Sequence, residues 1–433
     1  MNSQSKIQVH KFGGASLKDA SGFRNVARVI SAIQQEHKDS QLLVVVSALG
    51  KTTNRLEDLA FAFFSKKQEE CFQHLSSLRI SHLEILDELF ENNSHPVYNE
   101  ISNCFTEIEW VIEDEPHDSY DFVYDQIVSI GELLSSKILA AWLRQSGIEN
   151  TWLDARDFIV ADNTYREGAV DMDKSCASIY SSLRPLLIDK IILTQGFIGS
   201  TTENYSITLG REGSDYSAAI FANCLDACSL TVWKDVPGIM NADPSEFKDA
   251  KVLPQLSYSE ATELAYYGAT VIHPKTLKPL RSKNIELKVK SFKDLSAPGT
   301  LVNGNSGIPE FPSYIFKKNQ LILTLQTLDN SFILENHLSD IFKIFASCRV
   351  KINMMENSAL RFSAVIDESR NGDNFNLLLI ELSRVFIIKY NTGLTLLTVR
   401  NYLKDVETAY NFIVGHEVIL ESRTRHNIQF VYR

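Results

Sequence analysis

The stretch TQGFIGSTTENYSITLGREGSDYS, residues 194–217, constrains this chain more than any other. A glycine-rich turn and an apolar strand lead into a tight Gly-Arg-Glu-Gly-Ser-Asp loop that opens a helix, SDYSAAIFANCLDA. That order gathers backbone N–H groups, the Arg211 guanidinium and the Asp215 carboxylate at one helix N-terminus, where unpaired N–H groups and the dipole favour anions. Arg211 can grip a carboxylate or phosphate through two parallel hydrogen bonds. Ser214 and Asp215 suit the cap and first turn. Taken alone, the loop fits two readings: a site for an anionic, zwitterionic or phosphorylated ligand, or a plain strand-to-helix connection capped by Ser or Asp.

The rest of the chain bounds the choice. Its 433 residues are enough for two or three domains, and 44% hydrophobic with 22% charged residues is ordinary for a soluble globular protein. A net charge of −11, with no basic run, argues against nucleic acid as a partner. The N-terminus MNSQSKIQVHKFGG lacks the apolar segment of a secretory signal, and no apolar run approaches the ~20 residues of a membrane span. Cys71, Cys104, Cys176, Cys224, Cys228 and Cys348 are scattered. Only Cys224 and Cys228 are close, one turn apart on an expected helix with no second pair nearby, which suits a buried helix face better than zinc. A reducing cytoplasm is the expected compartment, and no membrane partner is expected.

Alternating apolar strands and amphipathic helices organise the first part. KIQVHKFGG, QLLVVVSALG, KIILTQGFIG, NYSITLG, CSLTVWKDVPG and IELKVKSF read as strands, and residues 55–145 read as helical with breaks at ENNSHP and EDEPHDS. ELAYYGATVIHPKTLKPLRSKN gives two helical pieces divided at Pro274. This pattern implies an α/β/α sandwich with a mostly parallel sheet, in which ligands sit at the carboxyl ends of strands. A boundary falls at the Gly-, Pro- and Ser-rich SFKDLSAPGTLVNGNSGIPEFP. Beyond it, strands and helices follow the order βαββαβ of a small ferredoxin-like α+β unit, and a shorter echo runs through VETAYNFI, EVILESR and NIQFVYR.

Several short motifs offer chemistry, each with a plain alternative. In HKFGGAS, Lys11 at a strand end could neutralise phosphate while the amides of Gly13 and Gly14 approach it; a solvated lysine at a turn fits equally. SALGKTTN looks like a phosphate loop, but the first glycine of GxxxxGK[ST] would fall on Val45, so only Ser47 and Thr53 remain as hydroxyl ligands. Glu132 in SIGELLSS can complement a helix dipole. VWKDVPGIMNADP carries Lys234, Asp235 and Met240 on a strand and turn.

Together, KFGGAS, SALGKTTN, SIGELLSS, TQGFIGS, LGREGSDYSAA, WKDVPGIMNADP and ELAYYGATVIHP occur in the order and at the spacing of aspartate kinases of the amino acid kinase family. The resemblance covers essentially the whole chain and extends to that family's ACT-type regulatory module. It implies a catalytic domain over 1–300, an ACT-like region over 313–433, and ATP-dependent phosphorylation of the side-chain carboxylate of L-aspartate to 4-phospho-L-aspartate, the first step toward lysine, threonine and methionine. By the resemblance, Lys11 and Asp215 are catalytic. Thr53, Glu132, Phe197, Arg211 and Ser214 hold aspartate, Glu132 taking the α-ammonium and Arg211 the α-carboxylate. Lys11, Gly13, Gly14, Ser47, Lys234, Asp235, Met240 and Lys275 belong to the ATP site. Mg²⁺ accompanies ATP, and no protein metal ligand is assigned. The alternatives are a kinase of another amino acid or related small acceptor, and a non-catalytic ACT-bearing amino-acid sensor. No GxGxxG follows the ACT-like region, so a fused dehydrogenase is not expected.

The chain departs from the family pattern in places. Glu212 replaces a glycine of RGGSD and is expected to need a negative φ. Ala15 replaces a threonine, Thr270 a lysine, which Lys275 could replace, and Ser245 an arginine. The segment VKINMMENSALRF carries the candidate effector residues Met354, Met355 and Ser358, while the turn LDNSF lacks the family's glycine, so weak feedback or a single effector is expected. In the family, ACT units pack between subunits. The apolar strands LILTLQTL and LTLLTVR are expected to leave unpaired edges, implying a homodimer or larger assembly through residues from about 320.

Overall fold

The computed structural model describes residues 7–188, 190–269, 272–305, 307, 309–368 and 372–433. The chain divides into two compact units. The first comprises Met1–Ile239, Val252–Thr262 and Val271–Ile308; the second comprises Met240–Lys251, Glu263–Thr270 and Pro309–Arg433.

The first unit is built on strands β1 (Ile7–Phe12), β2 (Gln41–Val46), β3 (Asn150–Trp152), β4 (Ile191–Gln195), β5 (Ile198–Ser200), β6 (Ser206–Thr208), β7 (Ser229–Lys234), β8 (Gln255–Ser257), β9 (Glu286–Ser291) and β10 (Thr300–Asn303). Eight of them form one sheet in the order β3-β4-β2-β1-β7-β9-β10-β8, parallel throughout except where β10 runs against β9. The central strands β1, β2 and β7 are covered on both faces, which is why they read as unbroken apolar runs. Helix Ala20–Glu36 starts where the Asp19 side chain accepts a hydrogen bond from the Gly22 amide at 2.8 Å, and it buries Phe23, Val26, Val29 and Ile30.

The expected helical region is present as Thr52–Phe64, Gln68–Leu89, Val97–Glu113, Tyr120–Val128 and Ile130–Gln145, with breaks at the two expected places and a further one at 65–67, where Lys66 turns the chain with φ +59°. The stretch Tyr120–Gln145 has the length and mean hydropathy, 1.2, of a membrane span, which the search for a continuous apolar run does not reveal. It lies instead in the protein core, with 83% of that window buried.

Two local expectations are corrected. KIILTQGFIG is not one strand: the chain leaves the large sheet after Gln195, and β5 pairs with β6 as a separate hairpin. Gly196 lies so near the next helix that a Cβ would sit 2.7 Å from the Ser214 Cα, and Phe197 turns the chain with φ +70°. Cys224 and Cys228 do not share a helix. The helix Gly213–Cys224 ends at Cys224, and the Cys228 thiol points to the Ile7 carbonyl. Cys224 is instead joined in a disulfide to Cys176, 48 residues away, a proximity that sequence spacing could not reveal.

The second unit contains β11 (Ser313–Thr327), β12 (Met354–Asn357), β13 (Phe362–Asp367), β14 (Phe386–Arg400), β15 (Val418–Arg423) and β16 (Asn427–Tyr432). With helices Glu335–Ser347 and Gly372–Ser383 they give the expected βαββαβ order. The echo does not form a sheet of its own. All six strands form one antiparallel sheet, β12-β13-β11-β14-β16-β15, because β11 and β14 are each 15 residues long and serve both halves. LILTLQTL and LTLLTVR therefore lie in central, paired strands, contrary to the unpaired edges expected of them; the edges are β12 and β15.

One half of the sheet packs Leu321, Leu323 and Leu325 against Ile341 and Phe345 of the first helix and Leu378 and Leu382 of the second. In the other half, where only the short helix Val406–Asn411 follows, Phe247 and Ala250 of the excursion 240–251 pack with Tyr314, Leu397 and Phe430.

Candidate active site

Register brings the first two charges together. Lys11 of β1 stands opposite Val232 of β7, and side chains alternate along a strand, so Lys11 and Lys234 project from the same face at neighbouring strand ends. Asp215, in the first turn of helix Gly213–Cys224, meets both. Its Oδ1 is 2.6 Å from the Lys11 ammonium and its Oδ2 is 3.0 Å from that of Lys234. Lys11 and Asp215 are 5% and 1% exposed, so this is a buried charge cluster rather than a surface pair. Burial alone would raise the Asp215 carboxyl, but Lys11 and Lys234 outweigh it and hold it below the ordinary value. Burial lowers the Lys11 ammonium despite Asp215; Lys234, partly buried, is raised by Asp215 against the opposing effect of burial. His10, beside Lys11, is held neutral by burial, pushed down to about 3, and its Nδ1 accepts a hydrogen bond from Trp233 at 3.3 Å.

The two glycines after Lys11 do different work. A Cβ on Gly14 would sit 2.7 Å from the Ala48 carbonyl oxygen, so glycine is needed there to let the β1 turn meet the β2 turn. At Gly13 the nearest atom to such a Cβ is the Lys11 Nζ, at 3.6 Å, which leaves room above the lysine. Ser47 follows β2: its amide donates to the Phe12 carbonyl and its own carbonyl accepts from the Ser135 hydroxyl at 2.7 Å. Thr53 is half-buried at the second position of helix Thr52–Phe64.

Glu132 lies in the first turn of helix Ile130–Gln145, 2% exposed. Its carboxyl accepts from the Ala48 amide, yet Oε2 is buried with no hydrogen-bond partner. Burial pushes its pKa up to about 8, against the Ala48 bond and the nearby Lys11 charge. The plain dipole-complementing reading does not explain an acid buried this deeply.

Phe197 and Ser214 also converge here. The Phe197 amide donates to the Ser217 hydroxyl at 2.9 Å, and a Cβ on Gly213 would fall 2.7 Å from the Phe197 ring. Arg211 is exposed at the loop tip. Glu212 corrects an expectation: it takes φ +54° and ψ +26°, the left-handed region, rather than a negative φ. This is a geometry that glycine adopts freely, and a side chain there costs about 1–2 kcal/mol.

Asp235 is exposed just after β7, and Lys275 is exposed in the first turn of helix Pro274–Ser282. Asp235 helps raise the neighbouring Lys234 ammonium through its charge, whereas no described contact joins Lys275 to the Lys11–Asp215–Lys234 cluster. Met240 groups with the second unit. So do Met354, buried on edge strand β12, its exposed neighbour Met355, and Ser358, whose amide donates to the Arg361 carbonyl at 2.8 Å. Ser245 is exposed and bonded to Asp243, Ala15 is exposed, and Thr270 lies outside the described residues. Sequence reasoning missed the role of Lys234 as second partner of Asp215, the Ala48 amide, Ser217 and Gly196. The parity of strand positions could have found Lys234 once β1 and β7 were paired; the others depend on tertiary approach.

Residues 6–291 match the amino acid kinase family. The chain belongs to that family. Among relatives, it is 32% identical to the lysine-sensitive aspartokinase 3 of Escherichia coli over 399 residues, 90% of this chain and 86% of the relative. It is 36% identical to the chloroplastic bifunctional aspartokinase/homoserine dehydrogenase 2 of Arabidopsis thaliana over 339 residues, spanning only 34% of that longer protein. The crystal structure of E. coli aspartokinase III with aspartate and ADP, in its R-state, superposes with a TM-score of 0.84 at 29% identity, covering 98% of this chain and 96% of that one. The T-state form of the same enzyme, with lysine and aspartate, gives 0.81. This family member therefore carries the α/β sandwich with a mostly parallel sheet, followed by an antiparallel α+β region.

Proposed function

We propose that this chain is an aspartate kinase that transfers the γ-phosphoryl group of ATP to the side-chain carboxylate of L-aspartate, giving 4-phospho-L-aspartate and ADP. The observation that carries this reading is the buried Lys11–Asp215–Lys234 cluster beside the partnerless oxygen of Glu132. Two ammonium groups suit a transferring phosphoryl group, and a buried acid lacking a cation suits the α-ammonium of an amino acid. The E. coli relative, crystallised with aspartate and ADP, supports the choice of substrates.

A carboxylate is already ionised at neutral pH, so the acceptor needs no general base. One of its oxygens bonds to the γ-phosphorus as the bond to the β–γ bridging oxygen breaks, and ADP leaves with that electron pair. Catalysis rests on positioning and charge. Lys11 and Lys234 neutralise the phosphoryl oxygens, and Asp215 fixes both lysines. Glu132 and Arg211 orient aspartate by its α-ammonium and α-carboxylate, with Thr53, Phe197 and Ser214 lining the site. Gly13, Gly14, Ser47, Asp235, Met240 and Lys275 serve the nucleotide. Among the described residues no group of three or more His, Cys, Asp or Glu could cage a metal. The Mg²⁺ that accompanies ATP would offset the charge of its phosphates.

The product is the first intermediate toward lysine, threonine and methionine, made in the cytoplasm. The second unit acts as the regulatory module. Its effector site takes Met354, Met355 and Ser358, with weak feedback by one amino acid. Asn330 supplies the left-handed turn of LDNSF at φ +57°, so the loop closes without glycine. Self-association through edge strand β12 and the exposed Leu328, Phe332, Leu334 and Met355 makes at least a dimer.

A coupled ADP-release assay across aspartate, glutamate, N-acetylglutamate, carbamate and nucleoside monophosphates tests the reading. Turnover with aspartate alone is expected. Turnover of another acceptor but not aspartate overturns the substrate, and no turnover of any favours the sensor.

A further inference from the structure

The lysine cluster holds more positive charge than Asp215 can balance. Both oxygens of Asp215 are engaged, one by Lys11 and one by Lys234, so one carboxylate serves two ammonium groups. Glu212 is the nearest candidate for the second negative charge. It is three residues before Asp215, at the cap of the same helix, in a left-handed backbone conformation that glycine adopts without cost. Its side chain turns inward, and Oε2 is buried with no hydrogen-bond partner. The charged groups within its electrostatic reach are Lys234, Asp215, Arg211 and Lys11, from two strands, the helix and the loop. Lys11 and Lys234 in turn feel Glu212 as a stabilising charge. Strained conformations with unsatisfied buried oxygens persist at functional sites, where the surroundings enforce them.

We propose that Glu212 is a positioning residue for the phosphate site: a built-in counter-anion that occupies the field of Lys234 and Lys11 in the free enzyme and competes with the nucleotide's phosphate groups. This rests on the kinase reading above. Its carboxylate weakens nucleotide binding when ionised and ceases to do so when protonated. Burial and Asp215 raise its pKa, while Lys234, Arg211 and Lys11 oppose that rise, so the effect grows as pH rises through its titration.

The test is calorimetric binding of ADP to the full-length protein, without turnover, in wild type, Glu212→Gln and Glu212→Gly, across the pH range from acidic to pH 8. Removing one unit charge a few ångström from an anion is expected to tighten ADP binding about fivefold in both variants at pH 8. The gain should shrink toward unity as the pH falls, and the KM for aspartate should stay close to that of wild type. Tighter binding in Glu212→Gly alone would assign the effect to relief of the backbone and overturn the proposal. Unchanged or weaker ADP binding in a folded Glu212→Gln protein, or a gain independent of pH, would overturn it as well. If wild type binds no ADP, the nucleotide-site reading itself fails.

Discussion

The two units bury different kinds of polar group. The first encloses Lys11, Asp125, Glu132, Asp215 and Glu260, whereas the buried polar residues described in the second, such as Gln320, Thr327, Asn353, Thr398 and Asn427, carry no charge. Uncharged groups can satisfy one another locally: the Asn353 side chain donates to the Gln320 side-chain oxygen at 2.9 Å. Buried charges are expensive to maintain and persist where they act on something. Chemistry therefore belongs to the first unit; in the second, exposed Leu328, Phe332 and Met355 accompany edge strand β12, the materials of association.

The largest effect should come from the charge cluster. Asp215→Asn and Lys11→Ala are each expected to lower kcat by about 10²–10³, measured by ADP release, with folding monitored by circular dichroism. Near-normal turnover in either folded variant would separate the two strand-end loops and remove the contrast. Arg211→Lys comes next. It keeps the charge but loses the planar fork, so the KM for aspartate should rise about tenfold while that for ATP changes little. A rise in the ATP value alone would move Arg211 to the phosphates.

Glu132 sharpens the comparison through pH. Its carboxyl stands near 8 in the fold and at about 4.3 in an unfolded chain. Between those values the fold holds a proton that the unfolded chain releases, so stability falls as pH rises through the window. Glu132→Gln should therefore raise Tm at pH 8 relative to wild type, with little change near pH 4, while weakening aspartate binding strongly. In wild type, aspartate binding at pH 7 should release close to one proton, read by calorimetry in buffers of different ionisation enthalpy. Absence of proton release would detach Glu132 from the ammonium. The smallest effect on turnover is expected from Phe332→Asp and Met355→Asp in the second unit. Light scattering should show a shift toward monomer with kcat within about twofold of wild type; a monomeric wild type would defeat the association role.

Much of this was legible in the residues. The apolar runs of β1, β2 and β7 announced a doubly covered parallel sheet, and the GREGSD loop announced a helix carrying Asp215. What escaped depended on tertiary approach. Periodicity gives no sign that β11 and β14 extend through both halves of one sheet, or that Cys176 meets Cys224. The left-handed Glu212 was misjudged because propensity argued for a negative φ where the surrounding fold enforces a positive one. The burial of Glu132 was equally invisible, since a carboxylate in a first helical turn usually faces water.

The excursion 240–251 has a consequence for anyone who would cut or recombine this chain. Because Phe247 and Ala250 complete the apolar layer beside Tyr314 and Phe430, the frontier between the units is not a point along the sequence. Truncation near residue 312 would strip these aromatic and small side chains of their cover and leave a sticky patch on the surviving fragment. The C-terminal portion expressed alone would lack one wall of its interior. Exchanging the second unit alone means replacing three separate stretches, 240–251, 263–270 and 309–433, which takes five crossovers rather than one.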